Sequence, residues 1–210
     1  MATDPVTAAV IRSGVVAVLR AKTADGFAAV ADVLVGAGIT ALEVTLTSRG
    51  AIDAIAGLRR QLPAGVAIGA GTVLTADEAK ASVDAGAEFL VSPVLDRALV
   101  AGSSVPFYPG ALTPTEIFTA QRDGAPIVKL FPATAVGPRY VKDLHGPLPG
   151  VRLMPTGGID IGDVAAWLTA GAVAVGLGAP LLGDAASGGS LAALADRARR
   201  AADAVSFARS

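Results

Sequence analysis

The feature that most constrains this chain is a repeated local pattern. A short apolar run, a glycine or polar interruption and an amphipathic segment follow one another roughly every 20 to 28 residues. Short apolar runs are typical of buried strands, and longer amphipathic segments are typical of helices. Strands that alternate with helices in this way favour a parallel α/β sheet. No linker is long enough to separate two domains, so residues 1–210 are predicted to form a single domain.

The number of predicted strands is about eight, which is the number that a closed TIM barrel requires. They are Val15–Leu19, Ala41–Thr45, Val66–Gly69, Phe89–Val91, Pro106–Tyr108, Ile127–Leu130, Val151–Met154 and Val173–Gly176. The chain length lies near the short end of the range for such barrels. The pattern therefore predicts a TIM (β/α)8 barrel, although an open doubly wound sheet fits the same alternation.

Helices are predicted between the strands and at both ends of the chain. The internal ones include Ala24–Val35, Ala51–Gln61, Ala76–Ala85, Pro114–Gln121 and Ile161–Ala170. Pro5–Ser13 is predicted to cap the bottom of the barrel, and Leu191–Arg209 is predicted to follow the eighth strand. Thr75 and Thr113 carry hydroxyls at the starts of two helices, with acidic residues in the first turn of each, which is typical of N-caps.

The composition excludes several kinds of function. The 17 basic and 18 acidic residues nearly cancel and form no basic stripe, so nucleic acid and anionic membranes are poor partners. Cysteine is absent, which excludes disulfides and thiol chemistry. His145 is the only histidine, so one chain cannot assemble a two-histidine metal site or a Ser–His–Asp triad. His145 is expected at the surface or at a helix end, and neither a metal nor a cofactor is predicted.

The N-terminus lacks the basic region of a signal peptide, and Asp4 and Pro5 lie where its apolar core would begin. A cytoplasmic location is therefore expected. Residues 164–183 carry no charge and are about long enough to span a bilayer. Glycines and Pro180 interrupt this stretch, so a helix end followed by a buried strand is the preferred interpretation.

The predicted sixth strand places a lysine among apolar residues. Alternation puts Ile127, Lys129 and Phe131 on one face, and Val128 and Leu130 on the other. The second pair should pack under the helices, so Lys129 should point into the barrel. Burying an isolated ammonium is costly, which favours the neutral amine that can attack a ketone. The structural alternative is a lysine that reaches the strand end or forms an ion pair.

The predicted second strand places an acid on the inward face by the same argument. Leu42 and Val44 share the side facing the helices, so Glu43 faces inward. A buried Lys–Glu pair that serves only structure is the alternative. Such pairs stabilise weakly, because desolvation offsets much of the Coulomb attraction. A pair at the catalytic end of a barrel is therefore better explained by Schiff-base chemistry, which needs an acid and base to move protons.

Further polar residues and glycines follow other predicted strands, at the end where barrel active sites lie. Arg20 follows the first strand and suits a substrate carboxylate. The segment 69–72 offers glycines that would let the backbone approach a ligand, together with the hydroxyl of Thr72. Two glycine-rich loops, 156–158 and 176–179, follow the seventh and eighth strands, where exposed N–H groups can hold an anion.

Several motifs together indicate a family. They are AVLRA (17–21), LEVT (42–45), GAGTVL (69–74), VSP (91–93), PGALTPTE (109–116), VKLFPA (128–133), VGP (136–138) and PTGG (155–158). They cover nearly the whole chain, which resembles the class I 2-keto-3-deoxy-6-phosphogluconate (KDPG) aldolases. The resemblance implies cleavage of a phosphorylated 2-keto acid to pyruvate and glyceraldehyde 3-phosphate, without a cofactor, by a homotrimer.

The resemblance also implies a role for individual residues. Lys129 would form the Schiff base, and Glu43 would be the general acid and base, acting through a bound water. The substrate would be held by Arg20 and Thr72 at its carboxylate, by Pro93 and Phe131 along the pocket wall, and by Gly157, Gly158 and Gly178 at its phosphate. Thr156 and Ala179 belong to the same two loops and are included in the predicted binding site.

The chain departs from the family pattern at two positions. Some members have arginine directly after V-T-L, whereas this chain has Thr47 there and reaches Arg49 two residues later. The carboxylate role therefore falls on Arg20. Ala179 stands where a serine is frequent, which removes one hydroxyl donor to the phosphate. The segment GPRYVK (137–142) also resembles the aldolases of the galactonate epimer.

Other functions remain open from the sequence. The substrate could be the galactonate epimer or 4-hydroxy-2-oxoglutarate. A phosphosugar isomerase or epimerase on the same barrel would explain the glycine loops but would give Lys129 no covalent role. A non-catalytic protein that binds a phosphorylated metabolite is the remaining alternative.

Overall fold

The computed structural model describes residues 3–210 as short parallel strands that alternate with helices. The strands are β1 (Val15–Leu19), β2 (Ala41–Thr45), β3 (Ala67–Gly71), β4 (Phe89–Val91), β5 (Phe107–Tyr108), β6 (Gly110–Ala111), β7 (Val128–Leu130), β8 (Leu153–Pro155) and β9 (Val175–Leu177). The α-helices are α1 (Pro5–Ser13), α2 (Phe27–Gly36), α3 (Ala51–Gln61), α4 (Ala76–Asp84), α5 (Arg97–Gly102), α6 (Pro114–Arg122), α7 (Pro138–His145), α8 (Val164–Thr169), α9 (Ala179–Leu182) and α10 (Leu191–Arg209).

The strands form a curved parallel sheet in two hydrogen-bonded parts. One part has the order β5-β4-β3-β2-β1-β9, and the other has the order β6-β7-β8. A single bridge between Thr156 and Gly176 links the end of β8 to β9. On the other side, only Pro109 separates β5 from β6. The predicted α/β architecture with a parallel sheet is confirmed in this form.

The predicted fifth strand, Pro106–Tyr108, is present as β5, one residue shorter, and a second short strand that was not predicted, β6, follows Pro109. Proline has no N–H and cannot donate to a strand ladder, so the ladder is interrupted there. Its carbonyl still takes part, and accepts a hydrogen bond of 2.9 Å from the backbone N–H of Lys129. The interruption therefore lies directly beside the lysine.

Most other elements lie close to their predicted positions. Six of them have the predicted bounds, namely α1, α3, α10, β1, β2 and β4. Strand β3 runs on to Gly71. The predicted seventh and eighth strands correspond to β8 and β9, and each begins two residues later than predicted. Helix α2 begins at Phe27 instead of Ala24, because Thr23 donates to the Asp25 carboxylate (2.8 Å) in a turn that precedes the helix.

The predicted helix starts at Thr75 and Thr113 are both capping boxes, in which each hydroxyl accepts from a backbone N–H three residues later. The hydrogen bonds from the backbone N–H and hydroxyl of Thr113 lower the pKa of Glu116. Residues 164–183 form α8, β9 and α9 instead of one helix. Within residues 3–210, no helix is both long and apolar enough to cross a membrane.

The strands separate two apolar layers, as the alternation predicted. Inward-facing side chains such as Val16, Ile127 and Met154 form an inner cluster, whereas their neighbours along the strands pack outward against the helices. Helix α1 covers one end of the inner cluster through the buried Val10. Its Thr7 hydroxyl is hydrogen-bonded to the hydroxyl of Tyr108 at 3.0 Å, and both residues are fully buried. Helix α1 thus closes the amino-terminal end of the strands, where it was predicted to lie.

We expect Tyr108→Phe to destabilise the protein by about 1–3 kcal/mol near neutral pH, because the buried Thr7 hydroxyl loses its partner. Burial raises the pKa of the Tyr108 phenol, so the folded protein holds this proton more tightly than the unfolded chain does. This stabilising contribution is complete below about pH 10 and falls as the pH rises further, by at most about 1.4 kcal/mol per pH unit. Urea unfolding of both proteins from pH 8 to pH 11 measures the effect.

The Tyr108→Phe variant lacks the ionising group and serves as the baseline for the other residues that titrate in this range. The difference in unfolding free energy between the two proteins should therefore shrink above pH 10. A difference that stays constant over the whole range would contradict the role given to the buried phenol.

Candidate active site

Lys129 lies in the middle of β7 with its side chain on the inward face. Its neighbours Val128 and Leu130 belong to the outer apolar layer, which fixes the direction of the lysine side chain. Only 5% of that side chain is exposed. The expectation that the lysine points into the interior is confirmed.

Glu43 meets Lys129 from the inward face of β2. Its side chain is fully buried, and Oε1 lies 3.8 Å from the Lys129 Nζ. That distance is within reach of an ion pair but too long for a hydrogen bond. Neither carboxylate oxygen is hydrogen-bonded to any residue in 3–210. The two strands therefore bring an amine beside a carboxylate whose lone pairs are free to accept a proton.

The glycines of β3 make room for these side chains. A Cβ placed on Gly71 would overlap Glu43 Oε1 and lie 2.6 Å from its Cδ, and a Cβ on Gly69 would overlap the Phe89 ring. The prediction that these glycines let the backbone approach a ligand stays a prediction. The space beside them is taken by protein side chains.

Arg20 follows β1 and reaches towards the end of β3. Its Nη2 donates a hydrogen bond of 3.3 Å to the hydroxyl of Thr72. Thr72 has a φ of 61°, in the left-handed region that β-branched residues rarely adopt. Strained backbone of this kind is concentrated at functional sites. The structure therefore brings together the two residues predicted to bind a carboxylate.

Two buried hydroxyls from the end of β2 hold the backbone on both sides of Arg20. Thr45 Oγ1 donates to the carbonyl of Leu19 at 3.1 Å, and Ser48 Oγ accepts from the N–H of Ala21 at 3.2 Å. This network was not predicted from the sequence, because it joins residues 26 or 27 positions apart. It fixes the point at which the arginine side chain leaves the sheet.

A cavity of about 510 Å³ opens beside Lys129 at the carboxyl ends of the strands. Eight predicted site residues line it: Arg20, Lys129, Phe131, Thr156, Gly157, Gly158, Gly178 and Ala179. Four residues that were not predicted complete the lining: Val18, Pro180, Leu182 and Gly183. The Lys129 Nζ lies 5.2 Å from the centre of the Phe131 ring, within the range of a cation–π contact. Most of the predicted site is thus one continuous surface.

The glycine loop after β8 has a backbone that other residues would not readily adopt. Gly157 and Gly158 have φ values of 97° and 69°. A Cβ on Gly158 would also overlap the side chain of Thr134. Apart from Arg20 and Lys129, the cavity lining contains no basic side chain. An anion at this end would therefore be held by backbone N–H groups.

Three predicted site residues, Glu43, Thr72 and Pro93, are not among the residues that line this cavity. Pro93 follows β4, and its backbone packs against Gly110 so closely that a Cβ on that glycine would overlap it. Arg49 lies with Leu46 and Ser48 around a separate surface depression. The predicted role of Pro93 in the pocket wall stays a prediction.

A second cavity, of about 690 Å³, is larger than the one beside Lys129. It is lined by Pro106, Phe107 and Val151 at the amino-terminal ends of the strands, with Asp4 and Arg152 as its charged groups. In parallel α/β sheets, ligands bind at the opposite, carboxyl ends of the strands, where the cavity beside Lys129 opens. His145 ends α7 as predicted, hydrogen-bonded to the Val151 carbonyl at 3.1 Å. In the described part of the chain, no three His, Cys, Asp or Glu residues are grouped as metal ligands.

We expect Gly71→Ala to lower the free energy of unfolding by about 1–3 kcal/mol, because the new methyl group forces Glu43 to move in a tightly packed interior. Gly57→Ala is the matched control, since nothing lies within 4 Å of the position of its Cβ in α3. Alanine is the better helix former, so this control should gain about 0.5–1 kcal/mol. Urea unfolding measures both, and a Gly71→Ala protein as stable as the original would refute the steric argument.

Sequence comparison places this chain in a known group of proteins. A family model described as KDPG and KHG aldolase matches residues 6–191. The chain is 37% identical over 161 residues to a 2-dehydro-3-deoxy-phosphogluconate aldolase of Treponema pallidum, covering 75% of this chain and 76% of the relative. It is 35% identical over 172 residues to a 2-dehydro-3-deoxy-6-phosphogalactonate aldolase of Escherichia coli, covering 79% and 83%.

Solved structures agree with this grouping. A KDPG aldolase of Legionella pneumophila, crystallised with pyruvate captured at low pH as a covalent carbinolamine intermediate, has a TM-score of 0.85 and 30% identity, covering 94% of this chain and 97% of its own. A KDPG aldolase of Zymomonas mobilis, crystallised with 3-phosphoglycerate, has a TM-score of 0.83 and 28% identity, covering 94% of both chains. The chain belongs to the KDPG and KHG aldolase family, whose members are carbon–carbon lyases.

Proposed function

We propose that the protein is a class I aldolase that reversibly cleaves KDPG into pyruvate and glyceraldehyde 3-phosphate through a Schiff base on Lys129. The observation that carries this proposal is the buried Lys129 amine 3.8 Å from a Glu43 carboxylate that makes no hydrogen bond within the described chain. The covalent carbinolamine of pyruvate in the Legionella relative supports pyruvate as the part of the substrate that becomes attached.

The first steps form the covalent intermediate. The neutral Nζ of Lys129 attacks the C2 carbonyl of the keto acid and gives a carbinolamine. The carbinolamine hydroxyl takes a proton from the Glu43 carboxyl group and leaves as water, which gives a protonated imine and the Glu43 carboxylate. Glu43 is the acid and base within reach of these proton transfers, directly or through a bound water.

The protonated imine then withdraws electrons from the carbon chain. Glu43 accepts the proton of the C4 hydroxyl, the C3–C4 bond breaks, and its electron pair moves towards the imine to give an enamine and glyceraldehyde 3-phosphate. Glu43 returns the proton to C3 of the enamine, and hydrolysis of the resulting imine releases pyruvate and restores Lys129. Glu43 thus takes up the proton of the C4 hydroxyl and returns a proton to C3.

Arg20 and Thr72 are suited to bind the pyruvate carboxylate. Their side chains are in contact, Arg20 lines the cavity, and the hydroxyls of Thr45 and Ser48 fix the backbone around the arginine. A guanidinium binds a carboxylate by two parallel hydrogen bonds, which would set the orientation of the keto acid relative to Lys129.

The glycine loops are suited to bind the substrate phosphate. Gly157, Gly158 and Gly178 line the same cavity, and the 3-phosphoglycerate in the Zymomonas relative supports a phosphorylated ligand for this family member too. Ala179 supplies no hydroxyl, so the phosphate would be held by backbone N–H groups alone. This arrangement favours KDPG over 4-hydroxy-2-oxoglutarate, which has no phosphate.

We also infer that the two parts of the sheet close into one eight-stranded barrel. The Thr156–Gly176 bridge joins them on one side, and β5 and β6 form a single strand interrupted by Pro109 on the other. The homotrimer implied by the family resemblance and the cytoplasmic location stay predictions. Sedimentation of the purified protein measures the first of these.

Treatment with borohydride in the presence of pyruvate should leave an N-(1-carboxyethyl) group on Lys129, because hydride reduces the imine to a stable amine. Mass spectrometry of the digested protein locates the adduct. Lys129→Met should reduce cleavage to below about 0.1% of the original rate, since the nucleophile is lost.

Lys80→Met is the control, because Lys80 is an exposed lysine on α4 that pairs with Asp84 far from the cavity lining. It should trap pyruvate and turn over substrate as the original protein does. Adducts at other lysines, or none at all, would refute the Schiff-base mechanism and favour a phosphosugar isomerase or a binding protein.

Turnover of three substrates side by side tests the proposed specificity. We expect kcat/KM to be highest for KDPG, lower for its galactonate epimer, and lower again for 4-hydroxy-2-oxoglutarate, which cannot use the glycine loops. The coupled assay for pyruvate follows all three reactions under the same conditions. A preference for the galactonate epimer would contradict the proposed substrate and favour the activity for which the Escherichia coli relative is named. Equal use of the unphosphorylated substrate would contradict the proposed phosphate site.

A further inference from the structure

Arg197 lies outside the cavity lining but contacts a segment that forms part of it. It projects from α10, and its guanidinium donates two hydrogen bonds, from Nε to the carbonyl of Leu181 (2.7 Å) and from Nη2 to the carbonyl of Leu182 (2.8 Å). No carboxylate in residues 3–210 lies within ion-pair distance of it. The hydrogen bonds of the Arg197 side chain therefore go to backbone carbonyls.

The contacted segment, residues 178–183, connects β9 to the last part of the chain. Gly178, Leu182 and Gly183 all line the cavity beside Lys129. Gly183 has a φ of 54°, and a Cβ at this position would lie 2.7 Å from Arg197 Nη2. The guanidinium thus fills the space that a side chain would need, and it holds the end of the segment opposite to Gly178.

We propose that Arg197 is a positioning residue for the phosphate end of the substrate. It acts through the segment 178–183, whose shape sets the direction of the Gly178 backbone N–H. This inference rests on the proposed function, which assigns Gly178 to the phosphate. The carboxylate end is positioned independently, because Arg20 and Thr72 are held by β1, β2 and β3 and make no hydrogen bond to the segment or to Arg197 within residues 3–210.

A purely structural role for Arg197 predicts a different result, and the chain offers a matched control for it. Arg209 projects from the same helix and also donates to two successive carbonyls, those of Arg12 (2.7 Å) and Ile11. It also packs beside a glycine of positive φ, Gly14, at 69°. These contacts hold the end of α1, at the closed end of the strands. The two arginines therefore share a helix and a contact type, and differ in which end of the molecule they support.

The test compares Arg197→Met and Arg209→Met with the original protein, using KDPG and 4-hydroxy-2-oxoglutarate as substrates. Both variants keep an apolar side chain and lose the same kind of hydrogen bonds. We expect Arg197→Met to raise KM for KDPG about tenfold or more, the loss typical of a binding group displaced by a fraction of an ångström. Its kcat/KM for 4-hydroxy-2-oxoglutarate and its trapping of pyruvate by borohydride should stay within about twofold.

Inhibition by inorganic phosphate gives a second readout. With 4-hydroxy-2-oxoglutarate as substrate, the inhibition constant for phosphate should rise in Arg197→Met and stay unchanged in Arg209→Met. Urea unfolding of the two variants reports how far each arginine stabilises the fold as a whole. A selective loss at the phosphate end, at comparable stability, supports the positioning role.

Three outcomes would overturn the inference. KM for KDPG could stay unchanged in Arg197→Met, both substrates could lose affinity equally, or Arg209→Met could show the same selective loss. If the original protein itself shows no preference for the phosphorylated substrate, the proposed phosphate site fails and the inference fails with it. If that preference exists and survives in Arg197→Met, only the inference fails.

Discussion

The cost of burying an amine and a carboxylate together is the constraint on which the rest of the molecule depends. The Lys129 Nζ and the Glu43 Oε1 lie 3.8 Å apart in the interior, with no hydrogen bond from the described chain to the carboxylate. Desolvation offsets most of the attraction in such a pair, so it contributes little to stability. The fold therefore has to supply the stability elsewhere, through two apolar layers and a helix across the end of the strands. The packing must also leave room for the Glu43 side chain, and this requirement explains the glycine at position 71.

Much of this could be predicted from local sequence patterns. The period of two in the strand of Lys129 gave the direction of the side chain, because Val128 and Leu130 could only pack outward. The hydroxyls of Thr75 and Thr113 marked helix starts, since capping acts over three residues. The position of α1 followed from its place before the first strand. In each case, the residues that determine the local structure lie within a few positions of one another or in one strand.

Other features could not be predicted in this way, because they depend on residues far apart in the chain. The steric role of Gly71 is visible only once β2 and β3 are paired in register. The hydroxyls of Thr45 and Ser48 fix the backbone around Arg20 from the next strand. The break at Pro109 is different, since a proline without an N–H is a local signal for an interrupted ladder. The family resemblance supplied the reaction and the substrate class, which no geometric argument from one chain would have reached.

Helix α10 connects the two ends of the molecule, and this has a consequence for the order of events during synthesis. Arg197 and Arg209 are 12 positions apart on one helix, which corresponds to about 18 Å of rise, comparable to the length of a strand. The amine and the carboxylate belong to strands that leave the ribosome well before this helix. A nascent chain could therefore pair Lys129 with Glu43 while the segment 178–183 was still unsupported. The proposed phosphate site would take its final shape only when the helix docks, which is after the amine and the carboxylate have met.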